Sequence, residues 1–167
     1  MSFTIYDASI PPMIRTLQNL SRILDKAMAQ AEAEKTDPAT LTEARLAADM
    51  FPFTRQIQIA TDGAKGCAAR LAGLEIPSYP DEEKTFPELK ARIAKTIAFL
   101  ESVSADKIVG SETHQIVIKT PNRTLEFNGR DYVTGFVLPN FYFHVTTAYA
   151  LLRHKGIQIG KMDFLGG

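Results

Sequence analysis

Cysteine is nearly missing from this chain. Cys67 stands alone among 167 residues, so no disulfide forms within it, and a reducing cytoplasm is the expected compartment. Net charge is missing too: 19 Lys and Arg balance 19 Asp and Glu, with no dense basic run. That argues against nucleic acid or an anionic membrane as a partner, since both call for gathered positive charge. No apolar run reaches the roughly 18 residues of a membrane span. The start, Met1–Asp7, has no basic or long apolar region, so no secretory signal is expected. A phosphate-binding loop, a GxSxG elbow, a CxxC pair and an HExxH helix are all absent, as are repeats and low-complexity segments. Histidine numbers three, which confines imidazole chemistry to His114, His144 and His154.

What is present is hydrophobic residue at helical spacing. At 45% hydrophobic and 23% charged, the composition is that of a soluble globular protein, and residues 1–167 suit one domain. Ile10, Met13, Ile14, Leu17, Leu20, Leu24, Ala27, Met28 and Ala31 recur every three or four residues, which predicts a first long helix. Ser9 is its expected cap, with Pro11 and Pro12 near the first turn. Asp37-Pro38 predicts a short helix with Leu41, Ala44, Leu46 and Met50 on its apolar face. Pro52 then starts a second long helix that ends at Gly73. Gly63 and Gly66 inside it point to the close approach of a neighbouring helix.

Ile76–Lys84 reads as an extended, proline-fixed link. Thr85 and Glu88 have capping-box spacing ahead of a third long helix with Leu89, Ile93, Ile97, Leu100 and Val103 inward. The period then shortens to two. Residues 114–127 predict a β-hairpin turning at Pro121-Asn122, with Asn128-Gly129 as a further turn followed by Arg130 and Asp131 as turn residues. The stretch Phe136–His154, closed by Gly156, predicts a buried fourth long helix with Pro139 in its first turn. Ile157–Gly167 reads as a docked tail anchored by Phe164 and Leu165. The expected fold class is mainly all-α: an antiparallel up-down four-helix bundle with a small hairpin before the last helix.

Candidate chemistry centres on His144. An imidazole in a bundle suits a divalent metal, but the residues that share its face, Thr147 and Ala148, are not ordinary ligands at that spacing. His154 lies about 15 Å further along the helix and cannot share an ion with it. Asp49, Gln56 and Asp62 on the second helix and His114 at the hairpin remain as possible partners. Asp49 and Gln56 are two helical turns apart, and so are expected on one face. A hydrogen-bonded core role for His144 is the plainer alternative. Cys67 reads as an inert structural thiol. Phe141, Tyr142, Phe143 and Tyr149 line either a ligand pocket or the core.

Leu138–His144, Tyr149–Gly156, Gly160–Gly166, Asp49–Phe53 and Ala68–Gly73 together resemble a bacterial domain-of-unknown-function family grouped with the DinB/YfiT-like four-helix-bundle proteins. The resemblance implies an up-down bundle, homodimers and, in many members, a divalent metal on three histidines serving thiol-dependent transfer or hydrolysis. The first histidine of the superfamily's last-helix HxxxH pair falls on His144, whose partner position here is Ala148, and the second helix has no histidine. The resulting expectation is a cytoplasmic, homodimeric module that binds a small molecule or a partner through Asp49, Gln56, Asn140 and His144, with no metal. The alternative is a divalent-metal transferase or hydrolase holding zinc, nickel, manganese or iron on His144 with Asp49 or Gln56. A third reading is a purely structural dimer.

Overall fold

The computed structural model describes residues 3–120 and 122–167. Met1, Ser2 and the Pro121 half of the expected hairpin turn lie outside them. Four long helical segments enclose one core: α1 (Ile5–Ala33), α3 (Phe53–Leu71), α4 (Phe86–Ser102) and α6 (Leu138–His154). A one-turn helix, α2 (Ala39–Thr42), precedes α3. A hairpin of β1 (Gln115–Thr120) and β2 (Arg123–Asn128) precedes the last long helix, and α7 (Lys161–Leu165) closes the chain. The strands pair antiparallel, with Gln115 opposite Asn128 and Thr120 opposite Arg123. Helix α3 packs on both α4 and α6, and α1 on α4 and α7. None of these helices is long and apolar enough to cross a membrane.

Helix α1 starts four residues before the expected Ser9. Thr4 and Asp7 form a reciprocal capping box, with Asp7 N–H donating to Thr4 Oγ1 at 3.2 Å and Thr4 N–H to Asp7 Oδ2 at 2.9 Å. Two donors satisfied together outweigh one. Ser9 is instead buried inside the helix, donating its hydroxyl to Ile5 O at 2.7 Å. Pro11 and Pro12 therefore lie within the helix, which is held through them by the fully buried Ile10, Met13 and Leu17.

Three helices end in the same way. After α3 and α6 a left-handed glycine, Gly73 or Gly156, lets the next amide reach back, Leu74 N–H to Ala69 O and Ile157 N–H to Leu152 O. After α1 the same pair of bonds forms, Lys35 N–H to Glu32 O and Thr36 N–H to Ala31 O. Here the left-handed residue is Lys35, at φ 54°, where its Cβ makes the conformation costly.

Helix α2 follows Pro38, with Asp37 Oδ1 accepting from Ala39 N–H at 3.0 Å, and it ends at Thr42. The expected apolar face accordingly stops at Leu41 and Ala44. Leu46 is exposed, and Asp49 sits exposed in a turn ahead of α3 rather than on it. Pro52 does start α3, and its buried side includes Phe53, Ile57, Ala60, Ala64, Cys67, Ala68 and Leu71. Of its two interior glycines, Gly63 faces the Asn140 amide of α6, as a helix-contact glycine would. Gly66 does not: its space is filled by the guanidinium of Arg70 from the same helix.

The hairpin feeds the last helix without a further turn. Asn128 Oδ1 accepts from Asp131 N–H at 2.8 Å, making Asn128 a helix cap and putting Arg130 and Asp131 in the first turn of α5 (Gly129–Tyr132). Gly129 is required there because Ser111's carbonyl occupies the space of a Cβ. From α5 the chain runs through a π turn at Val133–Val137, closed by Leu138 N–H to Val133 O, straight into α6. Pro139 lies in the first turn of α6, as expected, although α6 continues the helical path of α5 and the π turn. Proline supplies no N–H and crowds the carbonyl four residues back, and the widened turn falls immediately ahead of it. In the tail, Phe164 meets Tyr149 edge-on at 5.9 Å, while Leu165 is exposed and Ile157 and Ile159 are the buried anchors.

The link between α3 and α4 is stapled down by Arg92 of α4, a buried guanidinium. Its nitrogens donate to Thr61 Oγ1 at 2.8 Å, Asp62 Oδ1 at 2.7 Å, Pro80 O at 3.1 Å and Glu83 Oε1 at 3.1 Å, and they pair with Asp81 at 3.1 Å. Lys65, also buried, joins Asp62 at 2.8 Å and stacks over Tyr79 at 3.8 Å. Removing one partner of a buried ionic cluster strands the others. Arg92→Met is therefore expected to cost about 2–4 kcal/mol in urea unfolding. Lys26→Ala, which breaks the surface pair with Asp163, is expected to cost no more than about 1 kcal/mol.

Candidate functional site

His144 projects from α6 toward the start of α3, and a chain of three groups fixes its chemistry. Phe51 O, a carbonyl, only accepts, and Gln56 Nε2 donates to it at 2.9 Å. That sets the amide's orientation and leaves Gln56 Oε1 turned toward His144 Nδ1 at 2.7 Å. An amide oxygen also only accepts, so Nδ1 carries the proton and Nε2 carries the lone pair. Nε2 has no hydrogen-bond partner among the described residues and is not among their buried, unsatisfied atoms. It therefore reaches the surface through the 8% of His144 that is exposed.

The surroundings keep the ring neutral. Burial lowers the imidazole's proton affinity from its usual value, and the nearby Arg55 charge lowers it further. Arg55 lies over the exposed Phe51 ring at 5.9 Å, and the exposed Phe143 packs edge-on against His144 at 5.2 Å. Asn140, one turn before His144 on the same face of α6, is half-buried against Gly63. The arrangement offers one fixed hydrogen-bond acceptor near two exposed aromatic rings, with Arg55 already paired to Asp81.

Of the four residues expected to bind a ligand, Gln56, Asn140 and His144 lie along the α3–α6 contact. Asp49 is exposed in its turn, because the helix that was to carry it begins only at Phe53. Asp62 is engaged by Arg92 and Lys65, and His114 and His154 are exposed at the hairpin and at the end of α6. A divalent ion fits poorly. Among the described residues no three His, Cys, Asp or Glu side chains gather to hold one, and Gln56 spends its oxygen orienting His144 instead of serving as a ligand. Cys67 is fully buried, and burial pushes its thiol up to about 12, which leaves it unreactive. Sequence reasoning missed Arg55. Phe51 precedes the start of α3 at Phe53, so no helical spacing marks the pair.

The mainly helical fold with its small antiparallel hairpin is DinB-like by comparison with known proteins. The chain belongs to the family described as domain of unknown function (DUF1993), whose model matches residues 5–165. It is similar to the crystal structure of a DinB family member protein from Shewanella denitrificans, at 40% identity and a TM-score of 0.88, over 98% of this chain and 92% of that one. No curated protein matches the chain.

The tautomer is directly measurable. Nitrogen-15 NMR of the His144 ring at neutral pH is expected to show Nδ1 protonated and Nε2 bare, and Gln56→Leu to abolish that preference. Because the fold disfavours the imidazolium, the unfolded chain takes up the proton first as pH falls. The His144 contribution is intact above about pH 6.5 and is lost as pH drops below it. Thermal melts of wild type and His144→Gln are expected to differ in slope below about pH 6.5, wild type losing more.

Proposed function

We propose that this protein is a small-molecule binding module of the DinB-like four-helix-bundle type, with its long helices running up and down, acting in the cytoplasm as a homodimer. The ligand is anchored at His144 Nε2. What carries this reading is the Phe51–Gln56–His144 relay, which commits one imidazole to a single role, a neutral acceptor at the surface. Arg55 beside it is already paired with Asp81, so the bare lone pair favours a ligand that donates a hydrogen bond, and Phe51 and Phe143 suit a flat apolar body. The orienting group is an amide, which takes no share of a developing imidazolium charge, and this favours binding over proton abstraction. The dimer and the compartment rest on the family resemblance and on the single cysteine.

The competing reading, a metal-dependent transferase or hydrolase, draws support from the DinB likeness alone, since the donor set around His144 does not assemble a site. Both are tested by amide NMR with a fragment library of phenols and aromatic amides. Saturable shifts confined to Phe51, Arg55, Gln56, Asn140, Phe143 and His144, lost in His144→Phe, are expected. Fragments that leave these residues untouched would sink the binding reading. About one equivalent of a divalent metal in purified wild type, lost in His144→Ala, would install the metalloenzyme in its place.

A further inference from the structure

A second site lies away from His144, where the end of α1, helix α2 and the start of α4 enclose a cleft of about 830 Å³. This volume is in the range of small-molecule pockets. Its floor is apolar: Ala31 and Phe86 are almost fully buried there, with the half-buried Met28 beside them. Lys35 and Lys84 also line it, and neither ammonium is in an ion pair among the described residues. Two carboxylates share the rim, Glu32 and Asp37; Asp37 Oδ1 accepts from Ala39 N–H at 3.0 Å, which ties down one oxygen without removing its charge.

Lys35 is the telling residue. The chain closes α3 and α6 with glycine in the left-handed position, yet closes α1 with Lys35 in the same conformation. A strained backbone at the mouth of a cleft is a reason to ask what the side chain does there. Its stem extends the apolar wall while its charge stays at the opening. The opposite wall is pre-set: Glu83, next to Lys84, is held by Arg92, and Thr85 and Glu88 form a capping box. Rigid walls lower the entropic cost of taking up a ligand.

We propose that this cleft binds an amphiphilic carboxylate, its apolar chain on Ala31, Met28 and Phe86 and its head between Lys35 and Lys84. The reading is independent of the His144 site. Isothermal titration with dodecanoate, below its micelle concentration, is expected to give saturable one-to-one binding, with dodecyltrimethylammonium at least about tenfold weaker. Lys35→Gly and Lys84→Ala are each expected to weaken dodecanoate by about three- to fivefold, and His144→Ala to leave it unchanged. Lys35→Gly relieves the backbone, so its melting temperature is expected to hold or rise, separating lost affinity from lost fold. Absence of saturable dodecanoate binding, equal binding of the cationic amphiphile, or wild-type affinity in Lys35→Gly would each overturn the proposal.

Discussion

The guanidinium of Arg92 is the constraint around which much of this molecule is arranged. A charge withdrawn from water must find partners on every side, and Arg92 of α4 finds them on two other segments: Thr61 and Asp62 on α3, and Pro80, Asp81 and Glu83 on the link. The link cannot leave without stranding the cation, and α3 cannot slide against α4 without breaking the pair with Asp62. The second carboxylate of this group, Asp81, also engages Arg55, and Gln58 donates to Glu83 at 2.9 Å. The ionic cluster thereby reaches the first turns of α3, where Arg55 and Gln56 stand beside His144.

At that end of α3 orientation passes from group to group without any charge moving. A backbone carbonyl sets an amide, the amide sets an imidazole, and the imidazole presents a lone pair. Each step relies on a group that only accepts meeting a group that can donate, so each has one solution. A carboxylate in place of Gln56 would hold the ring as firmly but would also strengthen its basicity. With an amide, the ring is fixed in place and its basicity is left to burial and to Arg55.

Much of the fold was legible because period and punctuation agree. Thr85 with Glu88, Pro52 with Gly73, and the change to a two-residue repeat after Gly110 each mark an element where it occurs. The failures have a shared cause: a local signal was outvoted by a neighbour out of view. Ser9 and Pro11 describe a plausible helix start, but Thr4 and Asp7 make a better one. Pro139 does mark the first turn of α6, but the helical path ahead of it, from the Asn128 cap through the π turn, was read as a turn. The site was legible in part. Its histidine and Gln56 were named, as residues binding a small molecule or, in the alternative, an ion, but not as orienter and oriented. Asp49 was placed by counting turns on a helix that had not yet begun. Arg92 was invisible because an arginine between Leu89 and Ile93 reads as surface unless the carboxylates from the link are known to arrive.

The π turn divides one rod into two independently aimed halves. Tyr132 and Val137 are both buried although five residues separate them, after which Phe141, His144 and Ala148 return to ordinary spacing. An added residue in a helix turns everything downstream by roughly a quarter circle or slightly more. The half before the bulge looks toward the hairpin, and the half after it looks toward α3. Sequence drift that resizes the hairpin can therefore be absorbed at Val133–Val137 like slack in a coupling, without swinging His144 off its bearing. The face that carries His144 and the β appendage are in this sense separate modules sharing a single axle.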